Sequence, residues 1–139
     1  RQDRNSKAII QEIKKLFLEQ FVNITGPLQN PNKITRFCNV GVLSSQTEGC
    51  SNTLLEYMMI GLPVIITKNS GSIEVLGEDY PFYFEHQDAE ELAKHIFAAF
   101  NSHDLLKEIR KRNMDIVRTR YSVDRMIKNY ISVIESYAQ

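Results

Sequence analysis

Glu48-Gly49-Cys50-Ser51-Asn52-Thr53-Leu54-Leu55-Glu56-Tyr57-Met58-Met59-Ile60-Gly61-Leu62-Pro63-Val64-Ile65-Ile66 is the stretch whose reading decides the fold. Immediately before it, residues 40–44 form a short apolar run of strand length. Residues 52–60 carry a helical pattern, and Gly61 followed by Pro63 stops it in the order that ends helices. Residues 63–67 are almost wholly apolar, as expected of a strand covered on both faces. Strand, helix and strand in this order make a βαβ unit, for which a right-handed crossover is expected.

Working outward, Ile9, Ile13, Leu16 and Phe17 repeat at helical spacing within residues 3–20, with Lys7, Glu12 and Lys15 on the opposite side. Residues 21–25 alternate like a short strand that Gly26-Pro27 ends. Asn30-Pro31 then suits a cap with proline at the first helical position, predicting a short helix over 31–37. On the other side, a polar loop over 68–72 leads into a short helix ending at Leu76. A strand over 80–85 follows, at an edge because of Pro81. Three helices complete the chain. Asp88 caps the first, with Leu92, Ile96 and Phe100 inward; the second spans 104–120. Ser122 starts the third, which aligns Met126, Tyr130, Val133, Ile134 and Tyr137. With no repeat, low-complexity tract or long linker, residues 1–139 are expected to form a single domain.

Composition narrows the function classes. Seventeen basic side chains balance seventeen acidic ones, so no overall field favours nucleic acid or an anionic membrane. Cys38 and Cys50 lack any zinc-ligand spacing and are too few for a disulfide scaffold, which points to a reduced, cytoplasmic setting. No apolar run approaches a membrane span, and no signal-peptide core opens the chain. The first residue is Arg1 rather than Met, so a piece of a longer protein is expected.

In open α/β sheets ligands bind beyond the carboxyl ends of the strands. Residues 45–51 and 68–72 both fall there and should rim one crevice. The helix starting near Asn52 offers free amides and its positive dipole end to a phosphate. Glu56, in its first turn or so, can accept two hydrogen bonds from vicinal hydroxyls such as those of a ribose. Glu48 lies nearer the strand end, where a hexose joined to those phosphates would sit, and Gly71 between Ser70 and Ser72 permits close backbone approach. Taken singly, each residue has a plain structural explanation. A glutamate early in a helix suits the dipole, Asn52 or Ser51 serves as a cap, and Gly71 marks a turn. Leu54, Leu55, Met58 and Met59 read as core, Glu74 as a helix acid, Lys68 as solvated, and His86, His95 and His103 as surface residues. Only the combination suggests a ligand with hydroxyls and phosphates together, as in a nucleotide sugar.

That combination resembles a known family. Glu48-Gly49, Leu55-Glu56, Met58, Gly61, Pro63-Val64-Ile65 and Gly71-Ser72-Ile73-Glu74 look like the E-x7-E region of group 1 glycosyltransferases, the retaining GT-B enzymes of glycosyltransferase family 4. The resemblance extends from about Phe21 to the chain end. It implies a Rossmann-like three-layer αβα fold with a mostly parallel sheet, the C-terminal half of a GT-B protein and incomplete at its N-terminus. It further implies that Glu56 holds the nucleotide ribose and that Glu48 lies by the donor hexose and supports retaining chemistry. Gly49, Ser51 and the backbone around Asn52, Thr53 and Leu54, with Gly71 and Ser72, would hold diphosphate and hexose hydroxyls. No metal or other cofactor is expected, because helix dipole and basic side chains neutralise the leaving diphosphate. Cys50-Ser51-Asn52 departs from the Phe-Gly that often follows the first Glu-Gly, and Ser70-Gly71 replaces a double glycine. The family's diphosphate-binding Arg and Lys fall in an upstream segment to which Arg1 and Arg4 do not match.

The implied function is donor binding for transfer of a hexose to a glycan or lipid, as in polysaccharide biosynthesis. This piece alone would be inactive. Its partners would be the nucleotide-sugar donor and an N-terminal acceptor domain, with no nucleic acid. Peripheral association with the inner membrane face would be open to the full-length enzyme. Two alternatives stand beside it: a GT-B-like nucleotide-sugar epimerase, and a non-catalytic interaction domain that docks through the amphipathic last helix.

Overall fold

A computed structural model describes residues 4–137. The chain divides into two compact units, Arg1–Pro31 and Asn32–Gln139. In the first, α1 (Arg4–Lys15) carries Lys14 and Lys15 in its last turn, where cations oppose the dipole's negative end. The helix ends at Lys15, short of residue 20, and Phe17 takes a left-handed backbone conformation (φ 55°). Residues 21–25 are not a strand. The amides of Phe21 and Val22 turn back onto the Leu18 carbonyl, and Phe21, Val22 and Ile24 are exposed. Alternation without a neighbouring strand to pair with does not hold extended structure.

The second unit is built around a three-stranded parallel sheet in the order β1 (Gly41–Leu43), β2 (Val64–Thr67), β3 (Tyr83–Phe84). A short α2 (Asn32–Thr35) precedes it. Helix α3 (Asn52–Met59) links β1 to β2, and α4 (Ser70–Leu76) links β2 to β3. Both crossovers step along the sheet in one direction, so their helices share a face. Helix α6 (His103–Arg120) packs on both, while α5 (Ala89–Asn101) packs on β2. The mixed α/β class and parallel sheet expected from the sequence are present, as in the Rossmann-like C-terminal half of a GT-B protein.

Every residue of β2 is buried, as its unbroken apolar run requires. The core joins Leu54 and Met58 of α3 to Val64, Ile65 and Ile66, then to Val75, Leu76, Phe82 and Ala99. Met59, expected inside, is 60% exposed, and Phe100, expected to face inward on α5, is 61% exposed. Neither position fits the buried stripe set by its neighbours at i−1: Met58 and Ala99 take the core contacts. His95 is half-buried rather than on the surface, edge-on to the Phe82 ring at 5.8 Å between centroids. Gly61 ends α3 with a positive φ of 72°, a conformation open to glycine without steric cost.

The strand expected over 80–85 is a two-residue ladder. Pro81 cannot donate, and the buried Tyr80 hydroxyl takes over part of the pairing: it donates to the Val64 carbonyl (2.7 Å) and accepts from the Val64 amide (3.3 Å). Two guanidinium groups of α6 close the far end of α4. Arg112 donates to the Leu76 carbonyl (2.8 Å) and to Asp79 (2.8 Å), and Arg120 donates to the Glu74 carbonyl (3.0 Å). These are the last-turn carbonyls that a helix leaves without partners. Helix α7 (Val123–Tyr137) buries none of its residues, so Met126, Tyr130, Val133, Ile134 and Tyr137 form an exposed apolar stripe.

Candidate functional site

The carboxyl ends of β1 and β2 lie side by side in register, with Leu43 opposite Ile66. The Thr67 hydroxyl ties them further by donating to the Leu43 carbonyl (3.1 Å). Loop 44–51 rises from β1 and loop 68–69 from β2, and each runs into a helix start. Leu43, Ser45, Glu48, Gly49, Ser51, Leu54, Ile66, Asn69 and Ser72 therefore surround one cleft. Its enclosed volume is about 10 Å³, room for roughly one water molecule. A cleft of that size has no room inside it for a molecule as large as a nucleotide.

At the α3 start the cap is Ser51, in extended conformation (φ −74°, ψ 117°), rather than Asn52. The Ser51 hydroxyl accepts from the Leu54 amide at 3.4 Å. That takes Leu54 out of the set of amides available to a ligand and leaves those of Asn52 and Thr53, both on exposed residues. Glu48 is exposed beside this cap. The Ser45 hydroxyl, and to a lesser extent that of Ser51, hold its carboxyl below the ordinary carboxylate range, so it is ionised at neutral pH. Glu56 is the fifth residue of α3 and half-buried, one turn beyond the cap and outside the small cleft. Glu48, Gly49, Ser51, Leu54 and Ser72 thus line one cleft, while Glu56, two residues beyond Leu54 on α3, is not part of its lining.

At the α4 start the arrangement differs from a ligand-binding loop. The helix begins at Ser70, so Gly71 and Ser72 lie in its first turn, and both are buried. Asn69 caps it by accepting from the Ser72 amide (2.9 Å), and the Asn69 amide donates to the Ser72 hydroxyl (3.0 Å), a reciprocal capping box. The same hydroxyl donates toward the carbonyls of Thr67 and Asn69, each at 2.9 Å, and the Ser72 carbonyl accepts from Tyr83 (2.9 Å). Burial pushes the Tyr83 phenol up to about 12. The polar groups of Ser72 are therefore engaged within the protein. A Cβ at Gly71 would meet the carbonyls of Glu48 and Gly49, closer than real Cβ atoms come. Close approach at Gly71 is to the Glu48 loop itself.

Ser45 and Asn69 were not among the residues singled out from the sequence. An asparagine three residues before Ser72 carried the capping signal, but the cross-loop contact between Asn69 and Ser45 had no local pattern to reveal it. Lys68 is exposed at the same rim, and its amide donates to the Phe84 carbonyl (2.9 Å). Among the described residues, no three His, Cys, Asp or Glu side chains converge as metal ligands would. No helix among them is long and apolar enough to cross a membrane.

Comparison with known proteins adds a second line. A family model described as Glycosyl transferases group 1 matches residues 2–102, a span that contains the βαβ unit and both Glu48 and Glu56. The chain is also similar to an uncharacterized glycosyltransferase of Methanocaldococcus jannaschii, with 37% identity over 91 residues. That alignment covers 58% of this chain and only 22% of the archaeal protein's length.

Proposed function

The chain belongs to the group 1 glycosyl transferases, and from that premise we propose that residues 41–72 bind the nucleoside diphosphate of a sugar donor. The parent activity would be transfer of a hexose, with retention, to a glycan or lipid acceptor held by another domain. The observation that carries this reading is the α3 start, where two amides outside the cap stand beside an ionised Glu48 at the carboxyl edge of a parallel sheet. The diphosphate would sit on the amides of Asn52 and Thr53, favoured by the helix dipole. Glu56 would accept hydrogen bonds from the ribose hydroxyls, and Glu48 would face the hexose, with Gly49 and Ser51 shaping the approach. No metal is required if backbone dipoles and basic groups carry the charge leaving with the diphosphate. Work in the cytoplasm, against the inner membrane face, belongs to the same proposal.

Titration calorimetry with UDP, GDP and ADP tests it. One of the three should bind, and Glu56→Ala should weaken binding while the circular dichroism spectrum stays unchanged. Hydrogen bonds to a charged acceptor contribute about 1.5–3 kcal/mol, or roughly a tenfold to hundredfold change in Kd. Equal binding by both proteins removes Glu56 from the ribose role. The exposed stripe on α7 favours a second reading, an interaction domain of the same fold. Lack of binding to all three nucleotides at millimolar concentration would select it.

A further inference from the structure

Glu48 stands on a loop of exposed residues, yet its surroundings are specific. It lines the small cleft together with Ser51, which α3 fixes as its cap, and with Ser45. Ser45 belongs to no helix or strand. What holds Ser45 is Asn69, whose Nδ2 donates to the Ser45 carbonyl (3.3 Å) while its Oδ1 caps the Ser72 amide (2.9 Å). The two ends of this amide have partners of opposite kind, a carbonyl and an N–H, and that fixes its orientation. Asn69 itself is anchored by its own amide on the buried Ser72 hydroxyl, which is tied in turn to the Thr67 carbonyl of β2. A continuous chain of hydrogen bonds therefore runs from the sheet through Asn69 to Ser45. The Gly71 contact with the Glu48 and Gly49 carbonyls closes the loop onto α4 from the other side.

We propose that Asn69 is a positioning residue for Glu48: it fastens the Ser45 end of the loop to the start of α4 and so sets where the carboxylate stands over the cleft. The consequence for donor binding rests on the function proposed above; the positioning itself does not. A merely structural role would be limited to capping α4, and the two roles separate chemically. Serine caps a helix about as well as asparagine, but it is too short to carry a donor to Ser45. In Asn69→Ser the cap therefore stays and the tether goes, whereas Asn69→Ala loses both. Because Ser45 is the largest influence holding the Glu48 carboxyl low, that carboxyl reports the tether directly.

The experiment is a carboxylate-detected NMR titration of Glu48 in the intact chain and in the two variants, with thermal unfolding alongside. In Asn69→Ser the Glu48 pKa should rise toward the usual carboxylate value while the Tm stays near that of the parent, and Asn69→Ala should show the same rise with a lower Tm. An unchanged Glu48 titration in Asn69→Ser overturns the proposal. So does a rise accompanied by the full Tm loss of Asn69→Ala, since cap loss would then explain both. Nucleotide titration of the parent chain is a separate arm. If the parent binds, Asn69→Ser should weaken a nucleotide sugar severalfold more than the bare nucleotide, because Glu48 faces the sugar; equal weakening of both overturns that consequence for donor binding, while the Glu48 titration decides the positioning. If the parent binds none, the function above fails, and the Glu48 titration still decides the positioning.

Discussion

Helices α3 and α4 begin at the same edge of the same sheet, and they begin differently. The α3 start has one long cap hydrogen bond at 3.4 Å and exposed first residues. At the α4 start there is a reciprocal box with bonds of 2.9 and 3.0 Å, a buried Gly71 and Ser72 in the first turn, and the Glu48–Gly49 backbone lying on Gly71. Helix N-termini are general anion sites only while their amides remain open. On that criterion α3 is the start whose amides stay open, as the proposed diphosphate site requires, and α4 is the platform that holds the loop carrying Glu48. Similar sequence signals, a small polar residue followed by a helix, thus serve two purposes at one rim.

The sharpest way to break this comparison is Gly71→Ala. On an open helix that change stabilises by about 1 kcal/mol through helix propensity. Here the added carbon meets backbone carbonyls of Glu48 and Gly49, which cannot rotate away as a side chain would. Overpacking of this kind costs up to about 3 kcal/mol, so urea unfolding should show a loss. A gain in stability would mean that α4 starts as openly as α3.

Ser72→Ala is expected to cost about 2 kcal/mol. It deletes the capping partner of the Asn69 amide and also removes the hydroxyl that approaches the Thr67 carbonyl in the interior, and buried groups left without partners are penalised. The same denaturant titration checks it. A loss no larger than that of an exposed cap would place Ser72 with Ser51 and erase the distinction.

How far the sequence revealed this rim depended on whether the cause was local. The βαβ unit was legible because Gly61, Pro63 and the unbroken apolar run to Thr67 act through their own backbone preferences. Glu48 and the α3 start were legible for the same reason. What stayed hidden depended on partners distant in sequence. Residues 21–25 have the alternation of a strand but form no strand pairing. Gly71 looks like a glycine freed for a ligand, and only the fold shows which backbone it admits. The tie from Asn69 to Ser45 spans 24 positions and leaves no periodic trace. Tyr80 shortened β3 by a hydroxyl that pairs with β2 in place of backbone, which no propensity anticipates.

The smallest expected effect is the most informative about α3. Ser51→Ala removes an exposed, long cap bond, and about 0.5 kcal/mol is the lower end for such a loss. It also removes one of the two hydroxyls beside Glu48. A carboxyl held low in the folded protein favours the fold above the ordinary carboxylate range, and that contribution is lost as pH falls through its lowered value. With Ser51 gone the Glu48 pKa should move up toward the unfolded value, so the decline of stability on the acid side should become shallower. Urea midpoints measured from neutral pH down to pH 3 would detect this as a smaller difference between parent and variant in acid than at pH 7. A constant difference across that range would mean that Ser51 caps α3 without touching Glu48, leaving Ser45, and through it Asn69, as the one support of the carboxylate.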